Sequence, residues 1–250
     1  MLSQNLIVDR RAVDRIVGVA RPGPDDLIVE VGAGRGQLTR ALAATAGRVL
    51  AYEIDPHLAA DLAAACARLG NVDCRPADFL GAVPPAEPFA LVGNIPWALT
   101  ARVVDRCLAA PTLTSATLLT QLEYARKRSG DYGRWTRLTV LSWPEIHWRL
   151  SGRVPRTAFR PVPGVDAGIL RLDRRGVPLL PAGSLPGYRS LVELGFTGLG
   201  GSLHASLRRR YPRRRLDAAF RATRLDLDTP VGLVWPEQWL ALFRLVGPPT

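Results

Sequence analysis

The feature that most constrains this chain is a glycine-rich turn set between a short apolar run and an Ala/Leu-rich segment. Asp26-Leu27-Ile28-Val29-Glu30-Val31-Gly32 has the form of a buried parallel strand entering a turn, and Leu38 to Ala46 reads as the helix that follows. The alternation continues. Arg48 to Glu53 is a second strand, Pro56 to Leu69 a helix, Val72 to Arg75 a third strand, and Phe89 to Asn94 a fourth, stopped by Pro96. Leu118 to Tyr124, Glu145 to Leu150 and Val165 to Leu172 extend the series. Strand and helix alternating at this spacing predict an α/β fold, Rossmann-like, with a mostly parallel sheet and helices on both faces.

The pattern breaks at Gly176 to Gly187, where three prolines and three glycines fall in twelve residues. That composition predicts a linker. Tyr188 to Phe196, Ser202 to Tyr211, Arg213 to Ala222 and Pro236 to Val246 then read as short helices. The expected organisation is a catalytic domain over 1–175, a linker over 176–187 and a small helical domain over 188–250.

Charge separates the same regions. The net charge is +11, yet residues 1–119 sum to −1, residues 120–175 to +7 and residues 187–250 to +5. A solubilising excess has no reason to be so lopsided. An excess confined to the second half is expected of a polyanion-binding face. Its candidate phosphate contacts are Arg126, Lys127 and Arg128, and Arg208, Arg209 and Arg210; the bland reading of each run is a solvated helix end.

Other classes drop out. No apolar stretch reaches the ~20 residues a membrane-spanning helix needs. Met1 to Arg11 carries Asp9 and Arg10 and no apolar core of a secretory leader, so a cytoplasmic protein is expected. Cys66, Cys74 and Cys107 are odd in number and lack CxxC spacing, and His57, His147 and His204 are scattered, so neither a disulfide framework nor a metal site is expected.

Four motifs carry chemistry. Gly32-Ala33-Gly34-Arg35-Gly36 lets backbone approach a nucleotide, but Gln37 stands where a dinucleotide fingerprint requires glycine, which disfavours NAD. Glu53 lies 21 residues after Gly32 at a strand end, the place of a ribose-binding carboxylate. Asp78 and Phe79, past the third strand, suit the amine and the ring of an adenine; a helix N-cap is the plainer reading of Asp78. Asn94-Ile95-Pro96-Trp97 is the sharpest signal. The exocyclic amine of a purine is a poor nucleophile because its lone pair is delocalised into the ring. An Asn side-chain oxygen and the Ile95 carbonyl accept its hydrogens, Pro96 fixes φ, and Trp97 offers a stacking face for an unpaired or flipped base. The plain alternative is a Pro turn beside a core tryptophan.

At these motifs the sequence resembles the ribosomal RNA adenine N6-methyltransferase family, which includes the erythromycin-resistance methylases and the small-subunit adenine dimethyltransferases. Ser3-Gln4-Asn5-Leu6-Ile7-Val8-Asp9 is similar to the family's Gln-Asn-Phe-Leu-x-Asp element. Tyr52-Glu53-Ile54-Asp55, Asp78-Phe79-Leu80 and Asn94-Ile95-Pro96-Trp97 match later motifs, with Trp in place of Tyr in the last. Val154 to Asp166 matches the family's Phe-x-Pro-x-Pro-x-Val-Asp segment. The resemblance implies S-adenosylmethionine as cofactor, with Asn5 and Ile7 at its methionine end and Gly32, Glu53, Asp78 and Asn94 as the remaining contacts. It implies Phe159 opposite Trp97 in the target pocket. Little precedes Gln4, where the family usually carries a basic extension. The Ala51–Asp55 and Gln121–Gly133 stretches look more like the resistance branch, so a monomer acting on 23S rather than 16S rRNA is expected. The other readings are a small-subunit dimethyltransferase and a non-catalytic nucleic-acid binder. A DNA adenine methylase is disfavoured by Ile95 where Pro would stand.

Overall fold

The computed structural model describes residues 5–249; Ser3 and Gln4 of the N-terminal motif lie outside them. In chain order the elements are β1 (Leu6–Ile7), α1 (Arg10–Ala20), β2 (Leu27–Val31), α2 (Gln37–Ala43), β3 (Arg48–Tyr52), α3 (Pro56–Cys66), β4 (Val72–Arg75), β5 (Phe89–Asn94), α4 (Thr100–Ala109) and β6 (Leu113–Gln121). There follow α5 (Leu122–Ser129), α6 (Arg137–Ser142), β7 (Ile146–Val154), β8 (Phe159–Arg160), β9 (Ala167–Arg174), α7 (Leu185–Gly195), α8 (Leu203–Leu207), α9 (Arg213–Ala222) and α10 (Pro236–Val246). Among the described residues no helix is long and apolar enough to cross a membrane.

Seven strands form one sheet in the order β4-β3-β2-β5-β6-β9-β7, and β1 pairs with β8 in a separate antiparallel ribbon. From β4 to β6 all neighbours are parallel, while β9 runs antiparallel to β6. The Rossmann-like reading therefore holds for the parallel part of the sheet, from β4 to β6. The chain runs from β2 outward to β3, then returns to β5 on the other side. The switch point of the sheet thus lies between β2 and β5, where ligands of such sheets bind at the carboxyl ends.

Local chemistry explains the boundaries. Asp55 caps α3 by accepting from His57 N and Leu58 N, with Pro56 pre-set at the first helical position. Asp9 caps α1 by accepting from Arg11 N at 2.8 Å, and Ala12, Val13, Ile16 and Ala20 form its buried face. The sequence reading had no helix there, nor at α4 and α6. The strand expected over Leu118 to Tyr124 instead runs from Leu113 and stops at Gln121, with Leu122 to Tyr124 helical.

By contacts the chain forms two compact units, residues 1–125 with 149–174, and residues 126–148 with 175–250. This differs from the expected boundaries. Residues 126–148 associate with the C-terminal helices because their apolar and polar groups find partners there. Buried Tyr188 of α7 donates to Val140 O at 2.9 Å, and Arg175 N donates to Glu145 O at 2.8 Å. The supposed linker is also shorter than expected: Leu185, Pro186 and Gly187 are already the first turn of α7, since proline is favoured at that end of a helix. The second unit has its own core, in which Trp239 stacks on Phe196 with ring centroids 5.6 Å apart.

Candidate active site

β2 is buried along its whole length, Glu30 included, and delivers the chain into the turn at Gly32. Gly32 has φ +72°, and a Cβ there would lie 3.0 Å from the carbonyl oxygen of Asn94. Only glycine meets both demands: the left-handed backbone and the close approach across the switch point. Gly32 N and Ala33 N donate to Tyr52 O at 3.0 and 3.1 Å, fastening the turn to the end of β3.

Glu53 sits directly after β3 and is 1% exposed. Its Oε2 accepts from Gly34 N at 2.8 Å and its Oε1 from Asp55 N at 2.9 Å. The carboxylate expected at the ribose thus also holds the glycine turn. Each carboxylate oxygen has a second lone pair, so the two tasks are compatible.

Two cavities meet at Gly32. One, of about 180 Å³, is lined by Glu53, Ile54, Asp78, Phe79, Pro96 and Arg102 among others. Asp78 turns one oxygen to Leu80 N at 2.9 Å, so the N-cap reading is correct, and the same residue also lines the cavity. Phe79 is fixed edge-on against Tyr52 at 5.7 Å, with the Arg106 guanidinium over its ring at 5.4 Å. The second cavity, of about 80 Å³, is lined by Leu6, Ile7, Glu30, Gln37 and Asn94.

Glu30 is the site residue that sequence reasoning missed. It is 1% exposed, its Oε2 has no hydrogen-bond partner among the described residues, and burial pushes its carboxyl up to about 8, with Glu53 adding to the effect. The signal was present: a carboxylate inside an otherwise apolar strand is expensive unless something cationic meets it. An elongated ligand with a nucleoside at one end and a cationic amine at the other fits both cavities. The residues present therefore suit S-adenosylmethionine.

Asn94 ends β5 and points its amide backwards. Its Nδ2 donates to Asn5 O at 2.7 Å across 89 residues of sequence, which leaves Oδ1 as the remaining acceptor. Pro96, with φ −55°, turns the chain, and Leu99 N closes the turn on Pro96 O at 2.8 Å. Trp97 is partly buried against the core, between the stacking and the packing readings.

Phe159 is fully buried, pairs with Ile7 in the β1–β8 ribbon and belongs to the core cluster against which Trp97 packs. The basic residues also divide. Arg126 is held by Asp131 and lies over the Tyr132 ring at 4.3 Å, and Arg128 donates to Thr136 Oγ1 at 2.8 Å. Both fasten a loop of the second unit, because a guanidinium beside local acceptors is satisfied there first. Lys127 is exposed, and so are Arg208, Arg209 and Arg210 at the end of α8.

Comparison with known proteins agrees with this geometry. The family model described as ribosomal RNA adenine dimethylase matches residues 1–247. An rRNA adenine N-6-methyltransferase of Streptomyces fradiae is 56% identical, covering 99% of this chain and 78% of the relative. The mycinamicin-resistance protein MyrB of Micromonospora griseorubida is 38% identical over 98% of this chain and 78% of its own length. The crystal structure of the 23S rRNA methyltransferase ErmE superposes with a TM-score of 0.94 at 50% identity, covering 97% of this chain and 99% of that one.

Proposed function

Because the chain belongs to the ribosomal RNA adenine dimethylase family, we propose that it methylates N6 of an adenine in 23S rather than 16S rRNA and so confers resistance to macrolide-type antibiotics, acting as a cytoplasmic monomer. Its chemistry is that of an S-adenosylmethionine-dependent rRNA adenine-N6-methyltransferase. The 50% identity to a 23S enzyme and the match to a macrolide-resistance protein support the target and its consequence.

In the proposed mechanism each residue acts on charge or position. Glu53 accepts from the ribose hydroxyls while holding the glycine turn, and Asp78 accepts from the cofactor's adenine amine. Glu30, with Asn5 and Ile7 nearby, receives the cationic methionine end. When bound, S-adenosylmethionine supplies an electrophilic methyl group on a sulfonium. Asn94 Oδ1 and the Ile95 carbonyl accept the hydrogens of the target amine and localise its lone pair on N6, out of the ring. The cofactor would leave as the thioether S-adenosylhomocysteine, and the proton lost from N6 would pass to solvent. Trp97 stacks on the base and excludes water.

The observation that carries this reading is the bond from Asn94 Nδ2 to Asn5 O, which fixes the amide with its oxygen as the acceptor at the switch point. The test is mass spectrometry of digested 23S and 16S rRNA from cells with and without the protein. N6-methylated adenosine appearing in the 23S digest, with growth on a macrolide, is the expected result. Methylation confined to 16S would assign the chain to small-subunit modification, and none in either would leave a binder.

A further inference from the structure

The strap Asn5–Asp9 carries the reactive site at one end and a row of arginines at the other. Asn5 O holds Asn94, while Val8 N and Asp9 N both donate to Ala158 O, at 2.8 and 3.3 Å. Asp9 then caps α1, and the next turn of that helix presents Arg11 and Arg15, both exposed. Arg15 reaches across to the β7 end, donating to Arg153 O at 2.8 Å. Arg11, Arg15 and Arg153, with the Asp9 carboxylate beside them, line a notch of about 220 Å³ floored by Ala12, Val154 and Pro155.

The charges around the notch are not balanced internally. The Asp9 carboxylate is occupied by Arg11 N. Asp166 accepts from Arg156 N at 2.8 Å and from the Arg153 guanidinium, which together hold its carboxyl below the usual range. Among the described residues no carboxylate bridges Arg11 or Arg15. Like charges one turn apart on a helix repel, so the pair costs stability until an anion arrives. The notch also sits at the N-terminal turn of an eleven-residue helix, where the backbone dipole favours negative charge.

We propose that Arg11 and Arg15, beside the Arg153 that Asp166 already holds, take one backbone phosphate of the RNA strand next to the adenine presented at Asn94. This rests on the function proposed above. Arg11 lies six positions beyond Asn5, a reach of at most roughly 20 Å, which is the span of a few nucleotides. The strap thereby joins the catalytic Asn94 to the grip on the substrate: it is pinned to Ala158 midway and cannot slide without disturbing both ends. A guanidinium fork suits phosphate oxygens in a way a lone ammonium does not.

The test uses a fluorescent RNA hairpin with an unpaired adenine, its anisotropy followed over a range of salt, with the full chain. Arg11→Gln/Arg15→Gln is expected to weaken RNA binding about tenfold, as for loss of a charge-assisted hydrogen bond. The log–log salt slope should become shallower by ~0.7, one contact to single-stranded RNA. The KM for RNA should rise in step, while calorimetric affinity for S-adenosylmethionine stays at the parental value. Arg11→Glu leaves the Arg15–Arg153 bond in place and reverses one charge, so it is expected to weaken RNA binding further. Parental RNA affinity and salt slope in both folded variants would overturn the notch. Should the parent chain bind the hairpin yet transfer no methyl, the functional reading falls while the salt slope still judges the notch.

Discussion

The two units treat polar groups in opposite ways. In the first, Glu30 and Glu53 are buried to 1% exposure, and Glu53 and Asn94 are held by named backbone groups. In the second, Arg208 to Arg210 and Arg213 to Arg215 are exposed, with Arg213 3.5 Å from Asp217 and Arg215 3.4 Å from Leu245 O. A buried polar group is costly and so must be placed by several others; its loss is felt sharply and at one atom. An exposed charge is cheap, individually weak and effective by number. The first arrangement suits the making of one bond at one nitrogen, the second the holding of a long polyanion.

Asn94→Ala breaks the comparison hardest. It removes the acceptor proposed to localise the amine lone pair, and it also leaves Asn5 O without its donor. Single-turnover methyl transfer should fall ~10²–10³-fold, the usual consequence of deleting one preorganised group at a transition state. Next comes Glu53→Ala. Two backbone N–H groups lose their acceptor, and so would the ribose hydroxyls in the proposed complex, at ~1.5–3 kcal/mol for each charged bond. Calorimetry should show cofactor affinity lowered by at least tenfold, and thermal denaturation a lower Tm. A variant with normal Tm and weak cofactor binding would make Glu53 a ligand only; the reverse would make it a structural clasp.

How much of this was legible in the sequence follows the distance over which each feature acts. The glycine turn, the strand-end Glu53 and Asn94-Ile95-Pro96-Trp97 are local, and chain-local periodicity places all three correctly. The bond from Asn94 to Asn5 was hidden because it joins residues 89 apart. Phe159 illustrates the same limit: its motif marks it as important, but only the pairing with Ile7 shows that it is buried. Arg126 and Arg128 read as free charge because Asp131 and Thr136 are not recognisable as partners before the loop is folded. The association of residues 126–148 with the C-terminal helices, through Tyr188 and Val140, is likewise tertiary.

Glu30 sharpens the comparison through pH. Its carboxyl is raised to about 8 from an ordinary 4.5. Between those values the folded protein holds a proton that the unfolded chain releases, so stability falls as pH rises from about 5 to about 8 and levels off above. Denaturant unfolding of the cofactor-free protein should show that decline, and Glu30→Gln should flatten it. If the cationic end of the cofactor meets Glu30, the carboxyl ionises on binding, and affinity should tighten as pH rises through the same window. An identical pH profile in Glu30→Gln would remove the residue from the site.

The smallest effect per residue belongs to the exposed arginines. Arg208, Arg209 and Arg210 stand at the end of α8, with Arg213 to Arg215 opening α9 across Tyr211-Pro212. If the first three contact phosphate, changing them singly to Gln should each make the log–log salt slope of RNA binding shallower by ~0.7, and changing all three by ~2. Neither the cofactor affinity nor the pH profile of stability should move, since those belong to Glu53 and Glu30 in the other unit. The steps should be nearly equal and additive, because exposed charges acting through the salt atmosphere contribute nearly independently. Strong non-additivity would mean that the run forms a structured pocket like the notch on α1. A parental slope in the triple variant would mean that these arginines only keep the helix end in water.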